Sequence, residues 1–483
     1  MKRAKVLLLE INEITWNLID PLIAQGKLPN FAFLKNEGTW AAPTSVDLPP
    51  QLDPWITWTT VYTGRPQAAH NVYFLEQPPS SIKARRIWEY CHEKGLSVGV
   101  YSSLCSWPPQ AVKGFYVPDT FAPDTQTFPA TLEPIQDLNL TYTRSVRLPK
   151  DKDGLLEKLK LGSKLFKLGL KPQTAARIVN QLVREKKNPE VRWQRVALQP
   201  FINFDFFSSL YRQHQPEFAT FHTNHVAHYQ HTYWKPMQPE AFPQETSPEE
   251  IRIYGDAIEH GYRTTDELLG RVLKLIDQDT TLVIASSMGQ KPFITELKKG
   301  RRIKQLRSLD RLMEILEVTD QARALATMSD QFNIYAEEKS VADFITTALR
   351  TAYIDTPGRP MFSVETFEES ITATLKSYDE VNENSRCYFP YLNEKDSYLY
   401  EDLVHNTGLV KSGCHDPQGM MILYGRGIKR GGHLGDCNNL DIAPTLLTLL
   451  GLPIPAVMEG RVLNEAFLTE VVPQQVQKMG MAN

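Results

Sequence analysis

Short apolar runs that end in polar residues constrain this chain's fold more than any other feature. "KVLLLEI" (5–11) runs into Glu10, Asn12 and Glu13. "KGLSVGVYSS" (94–103), "PEFATFHTN" (216–224), "TTLVIASS" (280–287) and "GMMILYGRGI" (419–428) follow the same plan. Runs of this length, bounded by turn residues, read as buried strands. Between them lie helical patterns such as "WNLIDPLIAQGKLPNFAFLKNEG" (16–38), "DPWITWTTVYTG" (53–64) and "NNLDIAPTLLTLLGLPIP" (438–455). The alternation predicts an α/β fold with a mostly parallel central sheet covered by helices on both faces.

Two stretches interrupt the alternation. Residues 136–205 are basic and helical in pattern. Their "LLEKLKLGSKLFKLGLK" (155–171) reads as an amphipathic cap helix with a solvated lysine face, and contact with a membrane surface is the second reading. Residues 296–405 mix charged helices with "QFNIYAEE" and "MFSVETFEES", as an α+β insertion would. The expected organisation is a core in three parts (1–135, 206–295 and 406–470), with insertions at 136–205 and 296–405 and a tail at 471–483.

At 483 residues with 42% hydrophobic and 23% charged residues, the chain can bury a large core. A net charge of -3 gives no reason to expect nucleic acid or an anionic membrane surface as a partner, local patches aside. The cysteines at 91, 105, 387, 414 and 437 form no CxxC pair, which fits reduced thiols and a cytoplasmic location. The basic start "KRAK" mimics a signal peptide, but its apolar run breaks at Glu10, and no segment has the length of a transmembrane span.

In open parallel sheets, ligands bind beyond the carboxyl ends of the strands. Those exits hold Asn12 and Glu13, then "HTNHVAHYQHTYW", "SSMGQKP" and "GCHDPQGM". His222, His225, His228 and His231 recur every third residue, a grouping able to bind zinc or a similar metal. The bland reading is a surface helix packed through Tyr229, Tyr233 and Trp234. His415 reads equally as a buried structural imidazole or as a ligand. Asp53 before Pro54 is a good helix cap, and a helix N-terminus also attracts anions. Glu13 is a better carboxylate base than Glu10, which alternation places on the same strand face as Asn12.

These segments together resemble the alkaline phosphatase superfamily, above all its phosphodiesterase/nucleotide pyrophosphatase branch. "WNLIDPLIAQGKLPN", "WTTVYTGRPQAAHNV", "NHVAHYQHTYW", "SSMG", and "GCHDPQGMMILYGRGIKRG" with "LDIAPTLLTLLGLPIPAVMEGRVL" carry the likeness, over residues 5–120, 215–292 and 408–466. The resemblance implies a two-metal phosphoryl centre with a Ser or Thr nucleophile at a helix N-terminus. Residue by residue, most of that centre is replaced. Its metal-binding aspartates become Asn12, Asn224 and Ser287, one histidine becomes Met288, and the nucleophile position falls near Asp53 or Pro54. His228 and His415 keep their identity. The residues that remain imply one divalent metal, zinc or similar, or none, rather than an intact two-metal centre. Its ligands would be His228 and His415 with His225 or His231, and its catalytic groups Asp53, Glu13, Asn12 and Asn224. Three functions follow as expectations. The chain is a hydrolase or transferase for a phosphorylated or nucleotide-linked small molecule, an inactive binding module of the same fold, or a metal-independent transferase in glycan or other biosynthesis.

Overall fold

The computed structural model describes residues 4–73, 77, 81–145, 163–297, 300–326, 330–393 and 395–468. The central sheet has eight strands: β1 (Lys5–Ile11), β2 (Thr39–Ala41), β3 (Val98–Tyr101), β4 (Gly114–Val117), β5 (Phe218–Thr223), β6 (Thr280–Ser286), β7 (Met420–Gly425) and β8 (Gly432–His433). Their order across the sheet is β8-β2-β7-β6-β1-β5-β3-β4. β1 is parallel to both β5 and β6, whereas β7 runs antiparallel between β6 and β2. The mostly parallel sheet expected from the alternation is present, with β7 as its antiparallel member.

Burial on both faces explains why β1 is an unbroken apolar run. Leu7, Leu9 and Ile11 join one apolar core, and Val6 and Leu8 join the core on the opposite face. Four helices matter for the site and surface: α1 (Pro54–Thr63), α2 (Pro172–Lys187), α3 (His225–Met237) and α4 (Ala257–Leu273). Asp53 caps α1 by accepting from the Trp55 amide, with Pro54 in the first turn. Of the Leu/Lys run at 155–171, residues 155–162 lie outside the described residues. The tail at 471–483 also lies outside them.

Residues 312–404 form a third apolar cluster of their own. It packs the helix Lys339–Thr351 against a four-stranded antiparallel sheet. The chain leaves this region through the strand Val404–Lys411, paired antiparallel with Arg301–Leu306. It then enters Gly413–Asp416, which pairs with Gly289–Pro292 so that His415 lies opposite Gln290. That return path carries Lys411 and His415 to the exits of β1 and β6.

Candidate metal centre

Register alone brings the polar exits together. Ile11 pairs with Thr223 and Glu10 with Ala285, so Asn12, Asn224 and Ser287 leave three adjacent strands side by side. The backbone then turns sharply, because Glu13 has φ +61°, a conformation rarely adopted by a residue other than glycine, asparagine or aspartate. Such a conformation costs on the order of 1–3 kcal/mol and persists only where the surroundings enforce it. Here Gln230 donates to the Glu13 carbonyl at 2.7 Å, and Asn12 donates to its carboxylate at 2.9 Å. Gln290 donates to the other carboxylate oxygen.

Two histidines complete the cluster. His231 Nε2 lies 3.0 Å from Glu13 Oε2, and His415 Nε2 lies 3.6 Å from Oε1. Their potential ligand atoms and the Glu13 carboxylate all fall within 4.8 Å of one another. The far side of each ring fixes its proton. His415 Nδ1 faces the Leu52 carbonyl at 2.7 Å, and His231 Nδ1 faces the Gly413 carbonyl at 3.3 Å. A carbonyl only accepts, so each Nδ1 carries a hydrogen, and each Nε2 turns toward the carboxylate as a lone pair on a neutral ring or as a second N–H on a protonated one.

Burial pushes the His415 imidazole down to about 4, so it is neutral at pH 7. Burial opposes charge on Glu13 too, but the two imidazoles and the hydrogen bonds from His231 and Gln290 outweigh it and hold its carboxyl at about 2. The neutral His415 ring thus turns its Nε2 lone pair toward an ionised carboxylate 3.6 Å away. A cation between them would be held by all three groups, and a backbone-anchored Nδ1 with Nε2 turned inward is how proteins orient a metal-ligating histidine. The two Nε2–carboxylate separations bracket the roughly 3.3 Å edge of a tetrahedral zinc site with ligands about 2.0–2.1 Å away. The residues present therefore fit one divalent ion, with two imidazoles and one carboxylate as donors. Both histidine side chains keep about a quarter of their surface exposed (26% and 21%), which leaves one side open to a ligand.

The neighbouring strand exits are closed by neutral contacts. Asn12 Oδ1 accepts from Trp58 Nε1 at 2.8 Å, and its Nδ2 donates both to Glu13 and to Asn224 Oδ1, the latter at 2.8 Å. An amide thus bridges two oxygens. Ser287 pairs with the Thr57 hydroxyl at 2.8 Å, and Met288 is fully buried.

The remaining candidates separate clearly. His228 lies close enough for His231 to act on it, and burial first and His231 second push its ring down to about 4. Its ring makes no hydrogen bond to a described residue. His225 is not brought to the cluster. Its ring is buried against the Thr223 and Thr265 hydroxyls at 2.9 and 3.0 Å, with both nitrogens engaged. Three-residue spacing turns about 60° around a helix at each step, so the three histidines of α3 fan apart instead of sharing one direction. Glu10 is also elsewhere, accepting from Tyr62, Ser103 and His222 beneath the site. Asp53 stands at the start of α1. Burial, with the Glu13 charge adding to it, raises its carboxyl to about 6. One Asp53 oxygen takes the Trp55 amide and the other accepts no hydrogen bond from a described residue. Sequence reasoning missed Lys411, which lies within electrostatic reach of both Glu13 and Asp53. Its only signal was its place just before "SGCH".

No protein-family profile and no curated protein matches the chain. Among solved structures, murine ectonucleotide pyrophosphatase/phosphodiesterase 5 is similar over 93% of this chain and 96% of its own, at 13% identity and a TM-score of 0.39. An inactive variant of that murine protein in complex with AMP is similar over 94% and 96%, with the same identity and score. The functional reading rests on this chain's own residues.

Proposed function

We propose that this chain is a metal-dependent enzyme of the phosphoryl-transfer type, a hydrolase or transferase acting on a phosphorylated or nucleotide-linked small molecule. One observation carries the reading: two imidazoles, each with Nδ1 held by a backbone carbonyl, turn Nε2 onto one buried carboxylate held at positive φ. Glu13, His231 and His415 would hold one divalent ion, which when bound supplies Lewis-acid polarisation of a substrate oxygen.

The chain's own groups account for the rest. The N-terminus of α1 and the Lys411 ammonium favour an anionic group beside the cluster. Asp53, raised to about 6 and offering one unengaged oxygen, can take up or release a proton near neutral pH. His228 faces the same region as a neutral base or a substrate contact. The sequence motifs shared with the alkaline phosphatase superfamily support phosphate esters as the substrate class, and Asn12, Asn224, Ser287 and Met288 support a single ion instead of two.

The test is metal-dependent turnover of phosphate mono- and diesters, nucleotide esters included, by the native chain and by the Glu13→Gln, Asp53→Asn, His228→Ala and His415→Ala variants. Loss of turnover in Glu13→Gln and His415→Ala supports the reading. Full activity in both overturns it.

A further inference from the structure

Helix α2 leaves on its outer face a stripe of apolar residues that covering a core does not explain. Its buried residues are Thr174 and Gln181, both polar. Gln181 is held by the Val191 carbonyl at 2.8 Å and by Glu185, whereas the Thr174 hydroxyl is buried without a partner. Ala175 and Ile178 are half-buried beside them, but three larger apolar residues face outward: Val179 is 61% exposed, Leu182 48% and Val183 47%. At spacings of three and four they form one continuous stripe. An ordinary surface helix turns that stripe inward. Phe166, 46% exposed between Lys164 and Lys167, extends the same character into the segment before α2.

Charge selects the occupant. The last turn of α2 carries Arg184, Lys186 and Lys187, all exposed, while Glu185 is tied to Arg195. The stripe is therefore apolar with a basic end and no free carboxylate on the helix. A second copy of the same face would offer these cations no free carboxylate on the helix, so self-association gains nothing from them. Apolar side chains flanked by lysine and arginine match an interface of acyl chains beneath anionic headgroups.

We propose that the exposed face of α2 docks the protein on an anionic lipid surface, lying along it without crossing it. Among the described residues no helix is long and apolar enough to span a membrane. The docking does not depend on the proposed chemistry.

The test is flotation of the full chain with vesicles of phosphatidylcholine alone or mixed with phosphatidylserine. Two variants accompany it: Val179→Ser/Leu182→Ser/Val183→Ser and Arg184→Gln/Lys186→Gln/Lys187→Gln. All six positions are exposed, and unchanged thermal melting verifies folding. Binding that requires phosphatidylserine, weakens with salt and is lost in both variants supports the proposal. Absence of binding, equal binding to neutral vesicles, or unchanged binding in either variant overturns it. So does a change in oligomeric state in the apolar variant with no change in flotation, which would assign the face to a protein contact.

Discussion

Replacing Asp53 with asparagine should make the metal-free protein more stable while removing activity. The carboxyl is raised from 3.8 to about 6, chiefly by burial and then by the nearby Glu13 charge. The folded state thus binds the proton more tightly than the unfolded chain. Asp53 favours folding below pH 3.8, and that contribution is lost as the pH rises through 6. Above that pH, the cost of ionising it is complete. At about 1.36 kcal/mol per pH unit, a rise of about two units sets an upper limit of roughly 3 kcal/mol. Asp53 is partly exposed, and solvent screening brings the expected gain to about 1–2 kcal/mol. Asparagine caps a helix about as well as aspartate, so the hydrogen bond to the Trp55 amide is kept. The assay is urea denaturation of chelator-treated protein at several pH values between 4 and 8. Asp53→Asn should shift the midpoint upward at pH 7.5, and the gain should vanish near pH 4. Equal or lower stability at pH 7.5, or a gain independent of pH, would refute the argument.

Three further outcomes follow from the same geometry. Glu13→Gln should lower metal affinity by more than about 100-fold, because even groups that merely support a ligand cost 10–100-fold, and calorimetric titration would measure it. His225→Ala should cost about 2–4 kcal/mol in unfolding free energy by leaving Thr223 and Thr265 without their ring partner, yet leave bound metal per chain unchanged. Asn12→Asp sets a second carboxylate where the amide now donates to Glu13, and should destabilise the metal-free protein by about 2–4 kcal/mol, with added divalent metal restoring most of the loss in a thermal melt.

The strand exits were legible because burial on both faces of β1, β5 and β6 leaves runs too apolar for any other role, and parallel register then sets their polar ends side by side. Asn12, Glu13, Asn224 and His415 were visible as candidates for that reason. The choice among His225, His228 and His231 was not, since spacing alone cannot say which direction of a helix faces the sheet. Packing decided it: Thr265 on α4 takes the His225 ring, and Ser412 fixes α3 by accepting from the Trp234 amide at 3.0 Å. Lys411 and Trp58 reach the centre through long-range pairing that no local pattern announces. The Leu52 and Gly413 carbonyls that set the histidine protons are backbone groups, which the sequence does not distinguish.

The most direct test is metal content of the purified chain, with anomalous scattering to locate any ion in crystals. The account predicts one divalent ion per chain, contacted by Glu13, His231 and His415. Two ions, an ion held instead by Asn12 or Asn224, or no binding when divalent metal is supplied would contradict it.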